Sequence, residues 1–177
     1  MQQCADAVIR LRSEYLYSMD LDTLIHFNYT SGDRSSWVEW RKGLRPNVNG
    51  NTVSWSRIKS PDDSYSNFKS YLENVFMYAG SASLERELTK VENPLKIQIG
   101  DVFIEGGSPG HAIIVVDIAT NKEDEKVFLI AQSYMPAQSI HILKNPNLLI
   151  SPWYKVKSKG KLITPEWIFD YDALYRF

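Results

Sequence analysis

Two observations predict an α+β fold: a helical pattern concentrated in the first half of the chain, and strand-like segments filling most of the second. A third bears on domain count. The chain has 177 residues, and chains usually divide only beyond roughly 250, so one domain over 1–177 is expected. Hydrophobic residues make up 44%, with 5 Trp, 10 Tyr and 7 Phe, which is ample material for a core.

The first element is read from spacing. Cys4, Val8, Leu11, Tyr15 and Met19 recur at three or four residues, which is one face of a helix from Cys4 to about Ser18. Cys4 then occupies the first turn, where unpaired N–H groups and the positive end of the macrodipole favour a thiolate. Residues 20 to 60 read as short strands and turns. Trp37–Trp40 fits one helical turn, and Asn49-Gly50 between Val48 and Val53 fits a tight hairpin. Ser60-Pro61-Asp62-Asp63 announces a helix with the stripe Tyr65, Phe68, Tyr71, Leu72, Val75 and Phe76, closed by Gly80. A shorter helix is expected from about Ser83 to Val91.

Strands follow. Val102–Ile104 comes after Gly100-Asp101, and His111–Asp117 comes after the loop Gly106-Gly107-Ser108-Pro109-Gly110. The polar turn Asn121–Glu125 separates this from Val127–Gln132, and Ser139–Leu143 is read as a further strand. Thr164-Pro165-Glu166-Trp167 is read as a helix start, with proline at the first helical position.

Charge and cysteine usage exclude several classes of function. Lys plus Arg number 20 against 21 Asp plus Glu, with no basic block, so a nucleic-acid partner held through phosphates is not expected. No apolar run approaches the roughly 20 residues needed to cross a bilayer. Cys4 is the single cysteine, so no internal disulfide can form. Zinc-type Cys/His spacings are absent, and His26, His111 and His141 lie far apart, so neither metal nor cofactor is expected. The chain opens directly on Met1-Gln2-Gln3-Cys4, from which a fragment of a longer protein is expected.

A lone thiol is either an inert buried residue or a nucleophile served by a histidine that the fold brings to it. His111 is the natural base, since it follows a glycine-rich loop and opens a strand. If the turn is centred between residues 121 and 122, Val116 faces Val127 and His111 faces Gln132. The Gln132 amide could then orient the imidazole, with one residue of slip turning it to the other face. An oxyanion hole would use the backbone N–H of Cys4, with Gln2 or Gln3 as second donor. Tyr134, Trp153 and Tyr154, in expected loops beside polar residues, together with Ser108, are candidates for substrate binding. A non-catalytic glycan- or peptide-binding module remains the alternative reading.

Gly100-Asp101-Val102-Phe103-Ile104 and Gly110-His111-Ala112-Ile113-Ile114-Val115-Val116 resemble a signature of the NlpC/P60 and CHAP branches of the papain-like cysteine hydrolases. The resemblance implies a papain-like fold, with an N-terminal helix carrying Cys packed on an antiparallel sheet. It also implies Cys4, His111 and Gln132 as nucleophile, base and orienting residue, and a peptide, amide or glycan-type substrate such as cell-wall material. Two departures stand out: Gln3-Cys4-Ala5-Asp6 replaces the usual Asp-Cys-Ser-Gly, and glutamine is not the common third residue. A closer, nearly end-to-end resemblance is to the uncharacterised bacterial family known as domain of unknown function 4846. It is carried by Gln2–Ala7, Arg10–Tyr17, Gly106–His111, Gln132–Gln138 and Ser151–Tyr154. That family implies an exported protein of Bacteroidetes, placed in the periplasm or cell envelope, and supplies no activity.

Overall fold

A computed structural model describes residues 3–177. Helix α1, Cys4–Ser18, begins where Gln3 turns extended and Asp6 Oδ2 accepts the Gln3 N–H at 3.0 Å. Its buried side is Ala5, Val8, Ile9, Ser13 and Leu16, so the expected stripe is rotated. Tyr15 and Met19 are exposed and Cys4 is half-buried at the margin, because the small side chains of Ala5 and Ala7 bring that side closest to the sheet.

Next come β1 (His26–Asn28), β2 (Arg34–Ser36) and the one-turn helix α2 (Trp37–Arg41). The expected hairpin is present, with β3 (Leu44–Asn49) joined to β4 (Thr52–Arg57) through Gly50 and Asn51. Helix α3, Tyr65–Tyr78, is capped by the Ser64 hydroxyl, which accepts the Asn67 N–H. Helix α4 covers only Ser81–Glu87, shorter than the sequence predicts, because Thr89–Lys90 is drawn into the sheet as β5.

The main sheet runs β10-β8-β7-β6-β13-β5, with β9 beside β8. Its remaining strands are β6 (Val102–Glu105), β7 (His111–Thr120), β8 (Lys126–Gln132), β9 (His141–Ile142), β10 (Tyr154–Lys155) and β13 (Leu174–Arg176). The expected Ser139–Leu143 strand shrinks to two residues. Every pairing is antiparallel. The 164–167 stretch is no helix start. It is the turn between β11 (Lys161–Ile163) and β12 (Ile168–Asp170), closed by the Thr164 hydroxyl accepting the Trp167 N–H. Period-two alternation on both sides outweighs the proline signal.

Each face of the sheet carries its own core. One contains Ala112, Ile114 and Ala131 under α1 and α3, centred on Val8, Ile9, Phe68 and Leu72. The other contains Ile113, Val115, Phe128 and Ile130 under the β11–β12 hairpin, with Leu162, Phe169 and Tyr171. The architecture is thus mixed α+β with an N-terminal helix against antiparallel strands.

The β7–β8 register differs from the assumed one. At the turn end Thr120 pairs with Lys126 and Asp117 with Leu129, whereas beyond an irregularity at Val116, Val115 pairs with Ile130 and Ile114 with Ala131. The loop is wider than expected and β7 holds one extra residue, a bulge. Without the bulge, Gln132 would fall opposite Ile114, and His111 would project from the other, helix-covered face. With it, Gln132 falls opposite Ile113, on the same face as His111 and one diagonal step away.

Asp101 explains the Gly-Asp pair ahead of β6. Its carboxylate is buried and accepts the Gln98 N–H together with two N–H groups of Arg176, at 2.6 and 2.8 Å. This fork–fork pair joins the start of β6 to the final strand. Arg176→Ala would leave a buried carboxylate without its cation, and we expect a loss of about 3 kcal/mol in chemical unfolding. A loss below about 1 kcal/mol would show the pair to be an ordinary surface contact.

Candidate active site

Cys4 and His111 line one cleft of about 820 Å³. Its walls come from the first turn of α1, the residues around Gly80 and Ser81, the 107–110 loop, and Tyr134, Met135 and Trp167. The loop can approach α4 because glycine stands at two contact points. A Cβ on Gly110 would lie 2.4 Å from Ser81 Oγ and 2.7 Å from Gly107 backbone, and one on Gly106 would lie 3.0 Å from Ala82 Cα.

The thiol sits against the main chain on both sides of His111. Its Sγ is 3.8 Å from the Gly110 carbonyl oxygen, and the Ala112 N–H reaches it from the other side. Beyond Gln132, β8 no longer covers this edge of β7, and the start of α1 takes that place. Ser133, fully buried, fastens the arrangement by donating its hydroxyl to the Gln3 carbonyl at 2.6 Å. One link thus ties the helix carrying the thiol to the strand carrying Gln132.

The hydrogen bonds around His111 define its tautomer. Glu166 Oε2 accepts from Gln132 Nε2 at 2.9 Å, which orients the amide, and Gln132 Oε1 then faces His111 Nε2 at 2.7 Å. An amide oxygen can only accept, so the imidazole proton lies on Nε2. Nδ1 is left as a buried lone pair with no partner. The ring is packed among Tyr134, Trp167 and Phe169, with centroids at 5.0, 5.5 and 5.8 Å, and Trp167 donates its indole N–H to Glu105 at 3.1 Å.

Burial pushes the His111 pKa below its ordinary value, against the opposing effects of the Gln132 hydrogen bond and the Glu166 charge. Burial also pushes the Cys4 thiol up, and Asp6 adds to this. The N–H groups of Ala5, Ala112 and Cys4 act the other way and are outweighed. The resting pair is therefore neutral thiol and neutral imidazole, in place of the thiolate that the helix terminus alone favours. Asp6 is itself shifted upward by burial.

Of the remaining expected site residues, Ser108 and Tyr134 line the cleft and Trp153 and Tyr154 do not. Tyr154 is buried in the second core and donates its hydroxyl to the Lys144 carbonyl, since β10 pairs with the far end of β8. For the oxyanion hole, the Gln3 backbone N–H is committed to Asp6, leaving its side-chain amide at the cleft, and Gln2 lies outside the described residues. His26 meets Glu87 at 3.3 Å and His141 is exposed. Among the described residues no group of three or more His, Cys, Asp or Glu could hold a metal.

Sequence reasoning missed Glu166, Trp167 and Glu105. The alternation flanking Thr164–Trp167 was the available signal, because a hairpin there brings a carboxylate and an indole to the end of β7.

A half-buried cysteine beside a buried histidine–amide pair, at the edge of an α+β sheet, is thus the site that this fold builds. The chain belongs to the family described as Domain of unknown function (4846), which it matches over residues 1–176. No curated protein and no solved structure matches it.

Nitrogen-15 NMR of His111 checks the tautomer. We expect Nε2 protonated and Nδ1 bare at pH 7, with protonation only on the acid side of the ordinary histidine value of about 6.5. In Gln132→Leu we expect mixed tautomers. A dominant Nδ1–H form in the unaltered protein would contradict the assignment.

Proposed function

We propose that the protein is a thiol hydrolase or amidase of papain-like, NlpC/P60-like organisation, cleaving a peptide or amide bond. The observation that carries this reading is the buried, unpartnered His111 Nδ1 in a ring held by Gln132 and Glu166, beside a thiol seated against Gly110 and Ala112. Burying a polar atom without a partner costs on the order of 1–3 kcal/mol. A proton acceptor lining the same cleft as a thiol gives that cost a purpose.

In the proposed reaction Cys4 Sγ bonds to the carbonyl carbon as its proton passes to His111 Nδ1. Gln132 Oε1 steadies the imidazolium through Nε2–H, and Glu166 stabilises its charge at a distance. The proton then moves to the leaving nitrogen as the C–N bond breaks, leaving a thioester on Cys4. Water attacks the thioester with Nδ1 taking its proton, the C–S bond breaks, and the thiol is restored. In this scheme the backbone N–H of Cys4, at the helix start, serves as a donor to the oxygen that becomes negative.

The lining bounds the substrate. Asp6 supplies a carboxylate, and no lysine or arginine lines the cleft among the described residues, which suits a neutral or amine-bearing chain over a phosphorylated one. Peptide cross-links of a bacterial cell envelope fit this description, and an extracytoplasmic location belongs to the same proposal. A non-catalytic module would gain nothing from the bare Nδ1, and two of the aromatics expected to serve it, Trp153 and Tyr154, lie outside the cleft.

The test is hydrolysis of peptide amides and of peptidoglycan fragments, read as released amine and as an acyl-enzyme by mass spectrometry. Cys4→Ser and His111→Ala should each lower turnover by about 1,000-fold or more, and Cys4→Ser should form no thioester. Turnover surviving in Cys4→Ser would end the proposal. The profile of kcat/KM against pH follows from the two shifts. Activity needs bare Nδ1, so it is lost as pH falls through a histidine value below about 6.5. It also falls above the raised thiol value, where no proton remains for the leaving amine. An acid limb above the ordinary histidine value would contradict this.

A further inference from the structure

We infer that the loop Asn145–Ser151 and the lysines beside it form a docking surface for an anionic lipid bilayer, distinct from the cleft. The first observation is a charge asymmetry. A chain with 20 basic and 21 acidic residues carries, between Glu125 and Glu166, six lysines and no Asp, Glu or Arg. The fold gathers this charge. Lys155, Lys157 and Lys161 line a depression of about 240 Å³ together with Pro146, Asn147 and Ile150 of the loop. Lys155 and Lys161 face Glu125 at 3.8 Å and Asp170 at 2.7 Å, in exposed pairs, while Lys144, Lys157 and Lys159 make no ion pair among the described residues.

The second observation is apolar. At the loop tip Leu148 and Leu149 are 85% and 94% exposed, the two highest values among the large apolar side chains described. Ile163, also exposed, stands on the rim of the same depression. The leucines are held outward by an ordered backbone. Asn145 Oδ1 accepts the Asn147 N–H, Asn147 Oδ1 accepts the Leu149 N–H, Asn145 Nδ2 donates to the Trp153 carbonyl and Ser151 Oγ accepts the Asn145 N–H. A loop pinned in this way cannot fold its leucines into the core.

Together these features fit a bilayer. Leucine side chains can enter the headgroup–acyl boundary while adjacent lysines meet lipid phosphates. A soluble polyanion would use the lysines and leave the leucines in water, and a protein partner would not need unpaired lysines around them. No helix among the described residues is long and apolar enough to cross a membrane, so the contact would be peripheral.

The experiment is co-sedimentation of the chain with phosphatidylcholine vesicles, with and without phosphatidylglycerol, at low and high salt. We expect partitioning only onto anionic vesicles, weakened by salt. We expect about a tenfold or greater loss in Leu148→Ser/Leu149→Ser and in Lys157→Glu/Lys159→Glu. These positions are exposed, so unchanged thermal unfolding of both variants certifies that the loss lies in binding. Absence of partitioning overturns the inference, as does binding that ignores the leucine change. Equal affinity for soluble polyphosphate would assign the surface to a polyanion. A concentration-dependent dimer abolished by the leucine change would assign it to a second copy.

Discussion

The candidate site depends on one extra residue in β7. Side chains alternate strictly along a strand, so the face on which Gln132 stands is decided by parity alone. Extended from the turn, the pairing of Thr120 with Lys126 would set His111 on the α1 side of the sheet, away from Gln132, which shares the face of Phe128 and Ile130. The bulge at Val116 reverses that parity, bringing His111 to the side of Gln132. The amide can then meet the imidazole at 2.7 Å, Glu166 can orient the amide from the β11–β12 hairpin, and Nδ1 becomes the free nitrogen. Bulges recur where a strand must re-aim a side chain, and this one re-aims every residue of β7 between itself and His111.

A second constraint brings the Cys4 thiol to that array. Helix α1 packs on the face opposite His111, so its own core contacts cannot place Cys4 near the ring. The end of the helix does so. β8 stops at Gln132, Ser133 takes the Gln3 carbonyl, and the first turn of α1 fills the edge of β7 that β8 has vacated. The rotation of the buried stripe toward Ala5 and Ile9 belongs to the same geometry. With small side chains against the sheet, Cys4 falls at the margin of the helix, half-buried and facing the cleft. Its burial raises the thiol and the burial of His111 lowers the imidazole, so both rest uncharged.

Much of this was legible in sequence where the signal is local. α1, α3, the Asn49-Gly50 hairpin and the strands on either side of Asn121–Glu125 all follow from periodicity and turn residues. The pairing of His111 with Gln132 also follows from the assumed turn, but the structure reaches it through a different register. The observed loop is wider, and the bulge changes the count. A bulge at Val116 has no signature, because valine there is indistinguishable from its strand neighbours. Glu166 was hidden because proline after threonine is as common at a helix start as in a turn. Trp153 and Tyr154 read as loop aromatics, yet the short strand β10 buries Tyr154, a tertiary effect that local polarity does not report.

The most direct test of the central claim, that Cys4 and His111 act as one unit, is the rate of Cys4 alkylation by iodoacetamide as a function of pH. The protein and its His111→Ala variant would be compared, with Cys4 the single thiol. The account predicts that the protein reacts near neutral pH in a phase that titrates with the imidazole. His111→Ala should lose that phase and react only as pH approaches the raised value of a buried thiol. Superimposable profiles in the two proteins would contradict it, showing a thiol and an imidazole that share a cleft without sharing a proton.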